Sequence, residues 1–215
     1  MKRLFLSILL AASATLCQAE VIYNNGLGQD FANSGYLSTE LYARRAYDDF
    51  TLTDTRTIES VFFQVGLTEE PFEGSFTFTV YDYDEIGVPG ATLYTKTLNI
   101  GDYSAVANGI VSYPFGPFYD VNFNIAPLTL GAGDYLVSFY GLNLEFRTAN
   151  TDDPNGYHLL QYEDVGEMYG IAGGLPFRLD GSTPSGAVPE PSTLLLAGIA
   201  LAGLALSQRR RQRRS

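Results

Sequence analysis

The chain has 215 residues, of which 24 are acidic and 13 basic, with one cysteine, one histidine and no tryptophan. The charge is unevenly spread: between residues 20 and 187, 23 acidic side chains stand against six basic ones, a net charge of −17. Such a surface repels nucleic acid and bare anionic polysaccharide, a lone histidine excludes multi-histidine metal sites, and a lone cysteine excludes an intramolecular disulfide.

At the N-terminus Lys2 and Arg3 precede the apolar run 4–12, which is too short for a comfortable membrane span. Small residues follow, and Cys17-Gln18-Ala19 puts small side chains at the −3 and −1 positions of a signal-peptidase site. Residues 1–19 are therefore expected to be a signal peptide cut after Ala19, with Glu20 opening the mature chain. A lipoprotein start at Cys17 is disfavoured, because Leu16 stands just before the cysteine where a small residue is usual. Cleavage after Ala19 removes Cys17 and leaves no thiol for disulfide, thiolate-metal or nucleophile chemistry.

From 20 to 179 the pattern is that of strands. Residues 76–81 alternate aromatic or β-branched residues with threonine, and 119–125 alternate apolar and polar side chains throughout. Further strands are expected at 50–52, 58–65, 93–100, 110–113, 135–140, 144–148, 157–162 and 177–179. Val88-Pro89-Gly90 suits a type II turn, while 131–134 and 153–156 carry further turn signals. No helical period is sustained, so the domain is expected to be all-β, an antiparallel β-sandwich of jelly-roll-like or Greek-key type. Residues 180–187 are rich in Gly, Ser, Thr and Pro and read as a flexible linker.

Catalytic signals in the domain are sparse. His158 lies in an expected strand, and no G-x-S-x-G sequence offers a nucleophile to it. Asp82, Asp84 and Glu85 precede Gly87 and resemble the opening of a calcium loop, but Ile86 breaks the acidic pattern and no glutamate closes an EF-hand. A loop calcium site on Asp82 and Asp84 is the metal reading that remains. Asp152, Asp153 and Asn155 read as turn residues. The abundant tyrosines and phenylalanines are expected in the core before any sugar-stacking platform.

The last segment, 188–215, opens with Val188-Pro189-Glu190-Pro191-Ser192-Thr193 and continues with the uncharged run 194–206. It ends with Arg209, Arg210, Arg211, Arg213 and Arg214. As a helix, the 16 residues 192–207 would reach about 24 Å at 1.5 Å per residue, slightly short of a hydrocarbon core of about 30 Å. The five arginines resist translocation, so this transmembrane helix would keep the C-terminus in the cytoplasm and the β domain outside. The order and spacing of these three parts resemble the PEP-CTERM sorting signal, a tail also known as the ice-binding-protein C-terminal domain. No regular threonine array of the kind an ice-binding face needs is seen, so the second name is not taken as an activity. The β-rich middle is similar, more loosely, to domains that precede this tail.

The resemblance implies that Pro189, Glu190 and Pro191 are recognised by an exosortase, a membrane enzyme that cuts near the motif. It also implies a Gram-negative-type host that makes exopolysaccharide, with the precursor in the inner membrane and the product at the cell surface or in the matrix. The expected partners are signal peptidase, exosortase and exopolysaccharide, with no nucleic acid. The expected function is that of a non-enzymatic surface or matrix protein linked to exopolysaccharide or biofilm. A carbohydrate-binding module is the alternative, followed by a glycan-degrading enzyme. No cofactor is expected apart from a calcium ion at the loop site.

Overall fold

The computed structural model describes residues 19–26, 28–30, 39–40, 43–67, 72–83, 88–112, 116–142, 146–148, 150–151, 157–162 and 167–183. Fourteen strands occupy them, with no α-helix among the described residues: β1 (Glu20–Asn24), β2 (Gly28–Asp30), β3 (Arg44–Leu52), β4 (Arg56–Leu67), β5 (Phe76–Tyr83), β6 (Pro89–Leu98), β7 (Tyr103–Ser112), β8 (Gly116–Leu130), β9 (Gly133–Gly141), β10 (Phe146–Thr148), β11 (Asn150–Thr151), β12 (Tyr157–Tyr162), β13 (Glu167–Ala172) and β14 (Phe177–Ser182). The expected signal peptide up to residue 18 and the expected transmembrane helix of the tail lie outside the described residues.

Two antiparallel sheets result. The first runs β1-β14-β4-β8-β7, with β10 also on β4, and the second runs β13-β12-β3-β9-β5-β6; β2 and β11 form a small separate ladder. The chain passes from one of these sheets directly to the other after β3, β4, β6, β8, β9 and β13, while β5/β6, β7/β8 and β12/β13 are sequential antiparallel neighbours.

Alternation explains why these strands form and which side they bury. In β5, Phe76, Phe78 and Val80 are fully buried while Thr77 and Tyr81 are only partly covered. In β8, Val121, Phe123 and Ile125 are buried and Asn122, Asn124 and Ala126 exposed. Both sheets contribute their inward residues to one hydrophobic core. Phe63 of β4 stacks on Phe139 of β9 at 4.3 Å between ring centroids, and Phe123 of β8 meets Phe78 of β5 edge-on at 5.4 Å. Such ring pairs add about 0.5–1.5 kcal/mol each beyond the area they bury.

Strands β1, β2, β11 and β13 and the first parts of β3 and β7 were not among the expected strands, and two local expectations are overturned. Pro89 and Gly90 do not form a type II turn: they open β6, Tyr83 pairs with Pro89, and Gly90 has no positive φ. Glycine is needed there because a Cβ would sit 2.9 Å from the Asp82 carbonyl oxygen. Asp180, Gly181 and Ser182, expected in the linker, are the last three residues of β14 and pair with Ser60, Ile58 and Thr57. At Gly181 the small side chain serves close packing: a Cβ would collide with the Thr57 carbonyl oxygen and lie 2.8 Å from Ile22 Cδ1. The chain divides after Ser182 into two units, 1–182 and 183–215.

Candidate functional site

The residues singled out in the sequence fall mostly at the margins of the described structure. Pro189, Glu190, Pro191 and the arginines Arg209, Arg210, Arg211, Arg213 and Arg214 lie outside the described residues. Ala19 is described, exposed, and immediately precedes β1. Asp82 is exposed near the end of β5, whereas Asp84 lies outside the described residues. Among the described residues no three His, Cys, Asp or Glu side chains gather to hold a metal. His158 is in β12, where its backbone pairs with Ile171.

What the fold does bring together is a tyrosine- and hydroxyl-rich outer face on the second sheet. Because Phe and Val take the inward positions of β3, β5 and β9, the alternate positions turn Tyr47, Tyr81 and Tyr140 the other way. Register aligns Tyr47, Ser138, Thr79 and Thr95 in one row across β3, β9, β5 and β6. The next row holds Tyr140, Thr77 and Thr97. Arg45 lays its guanidinium 4.0 Å from the centre of the Tyr140 ring and donates to Tyr81 Oη at 3.4 Å. Tyr47 meets Tyr81 edge-on at 5.6 Å and donates its hydroxyl to Gln161 Oε1 at 2.7 Å. Tyr47 and Tyr140 are nearly covered, while Tyr81, Thr77, Thr95 and Thr97 reach solvent. Of these rings Tyr81 is the one that reaches solvent, and it stands beside the Arg45 guanidinium and the Thr77, Thr95 and Thr97 hydroxyls, groups that can stack on and hydrogen-bond to a polyhydroxyl ligand. This face was missed in the sequence, where the period-2 segregation of Phe from Tyr was its one available signal.

A second cluster sits on the inner side of β3. Asp48 is 3% exposed and accepts from Asn25 Nδ2 at 2.7 Å, from its neighbour's amide, Asp49 N, at 2.9 Å, and from Leu175 N. Burial pushes its pKa well above the ordinary carboxylate range; the Leu175 amide pulls the other way and the Asp49 charge adds to the rise. Three N–H donors favour the anion, yet loss of water outweighs them. Asn25 also donates to the Leu175 carbonyl at 2.9 Å, so the cluster pins the end of β1 and the approach to β14 onto the second sheet.

Residues 187–211 match the family described as the PEP-CTERM protein-sorting motif. The tail is a sorting signal. The match takes in Pro189, Glu190, Pro191 and the first three arginines, and it marks an exported protein that an exosortase sorts. No curated protein and no solved structure was found to match the chain.

Proposed function

We propose that the exported product of this exosortase-sorted chain is a non-catalytic β-sandwich protein of the cell surface or extracellular matrix, associated with exopolysaccharide. The PEP-CTERM motif over residues 187–211 carries this reading. In it, signal peptidase removes 1–19, the segment 192–207 holds the precursor in the inner membrane, and the exosortase recognises Pro189, Glu190 and Pro191. The arginines from Arg209 to Arg214 stop transfer.

A second reading, a carbohydrate-binding module, is favoured by the outer face on which Tyr81 reaches solvent beside Arg45. Co-sedimentation of the exported protein with host exopolysaccharide tests both. Retention by the polymer is expected, without release of reducing ends. If Tyr81→Ala abolishes retention while the domain stays folded, the module reading holds; unchanged retention places the contact elsewhere. Release of reducing ends would replace both readings with a glycan-degrading enzyme, and no retention at all would end the exopolysaccharide association.

A further inference from the structure

Ser138, in the middle of β9, is fully buried, and its hydroxyl makes no hydrogen bond among the described residues. An orphaned buried hydroxyl costs stability and is uncommon in folded proteins, so it calls for a partner. Alternation decides which way it points. Val137 and Phe139 on either side of it enter the core, so Ser138 belongs to the outer face of the second sheet. Register sets it between Tyr47 of β3 and Thr79 of β5. Both neighbours are committed elsewhere: Tyr47 donates to Gln161 Oε1 at 2.7 Å, and Thr79 Oγ1 lies 3.2 Å from Thr95 Oγ1.

Side chains from the two flanking strands meet over β9, where Ser138 lies. Strands β3 and β5 stand on opposite sides of β9, about 10 Å apart at 4.7–4.9 Å per strand. Yet the rings of Tyr47 and Tyr81 approach to 5.6 Å, and Arg45, lying over Tyr140, donates to Tyr81 Oη at 3.4 Å. Tyr81 is the ring of this cover that reaches solvent, and its bond to Arg45 is at the long end for a hydrogen bond. A partly exposed side chain with so weak a tie changes rotamer at little cost.

We infer that Ser138 is the floor of a sugar-binding site and Tyr81 its movable cover: when Tyr81 turns outward, a pyranose ring stacks on it and hydrogen-bonds through one hydroxyl to Ser138 Oγ. This rests on the carbohydrate-binding reading and adds to it the residue beneath the ring. Floor and cover together select the ligand. Serine both donates and accepts, which suits a neutral hydroxyl, and an aromatic face packs on C–H groups. A pyranose carries hydroxyls and a C–H face on one small body. Thr77, Thr95 and Thr97 reach solvent alongside and meet further hydroxyls of the same polymer.

The test is affinity electrophoresis of the exported chain through gels holding increasing amounts of host exopolysaccharide. Ser138→Ala should weaken retention about three- to tenfold, the worth of one neutral hydrogen bond. It should not lower the melting temperature, because the orphaned hydroxyl is removed with the side chain. A parent chain that the polymer does not retain ends the carbohydrate-binding reading and this site with it. A retained parent with Ser138→Ala retained equally leaves that reading standing and overturns the inference. Movement of the cover is read separately in a Cys17→Ala background, which holds no other thiol. Iodoacetamide should alkylate Ser138→Cys faster than Val137→Cys, whose buried core position is reached through unfolding, and exopolysaccharide should slow the first. Alkylation no faster at 138 than at 137 would overturn the inference too. Should either cysteine variant fail to fold, the Ser138→Ala comparison still decides.

Discussion

Gly181 and Asp48 show how much a single side chain decides in this domain. Gly181 lies in β14 between β1 and β4, where the Thr57 carbonyl and Ile22 leave no room for a methyl group. Gly181→Ala is therefore expected to cost about 1–3 kcal/mol, the range for overpacking, by denaturant unfolding. Gly131 has open space around it and no positive φ, so Gly131→Ala should stay within about 0.5 kcal/mol, as surface substitutions do. Equal effects at the two glycines would contradict the packing described. Asp48 predicts a pH dependence. Its folded pKa is raised, so the stability it contributes is full below its ordinary value and is lost as pH rises through the folded value. Partial loss of water raises the Asp49 pKa as well, with the Asp134 charge adding to it, and this works in the same direction. The melting temperature should thus climb as pH is lowered from neutrality into the mildly acid range. Asp48→Asn, uncharged throughout, should flatten the climb; an unchanged slope would mean that burial of Asp48 is not its source.

At the scale of elements, the sheets hold together through inward rings, and Phe63 of the first sheet is one that reaches across to the second. It faces Phe139 at 4.3 Å, Phe76 at 5.4 Å and Phe123 at 6.2 Å. Phe63→Ala should cost about 3–5 kcal/mol in thermal or denaturant unfolding, a large share of a stability of about 5–15 kcal/mol. A loss below about 1 kcal/mol would show that the two sheets do not depend on this contact. Strands with clean alternation, such as β5 and β8, were legible in the sequence because a half-buried strand repeats every two residues. Strands β2 and β11 were not, since three and two residues carry no period. In β3 the residues before Phe50 were hidden by charge: Arg45 is accommodated on the ring of Tyr140 and Asp48 by amide donors, neither of which a linear pattern reveals. Strand β1 shows three apolar residues in a row, because Val21 faces solvent while Ile22 and Tyr23 pack on the core. The Gly and Ser at the end of β14 imitate a linker for the same kind of reason: the composition of a tight crossing and of a flexible segment is alike. The tyrosine face required the strand order, which periodicity does not contain.

At the scale of the whole molecule, the chain is an exported domain followed by a sorting tail. The last strand ends at Ser182 and the sorting match begins at residue 187, so only a few residues separate the hydrogen-bonded sheet from the signal. Glu20, the expected first residue of the mature chain, is already in a strand and pairs with Gly181, its carboxylate 3.0 Å from Arg56. Cleavage after Ala19 would leave the sheet whole at its start, and cleavage beyond Ser182 would leave it whole at its end. The measurement that tests this account most directly is the intact mass of the exported protein in a host with an exosortase, for the natural chain and for a variant with Pro189, Glu190 and Pro191 all replaced by alanine. The natural chain should begin at Glu20 and lack its arginine-rich end, while the variant should begin at Glu20 but remain full-length in the membrane fraction. Equal masses and equal fractionation for the two would contradict the account and leave the tail as a plain anchor.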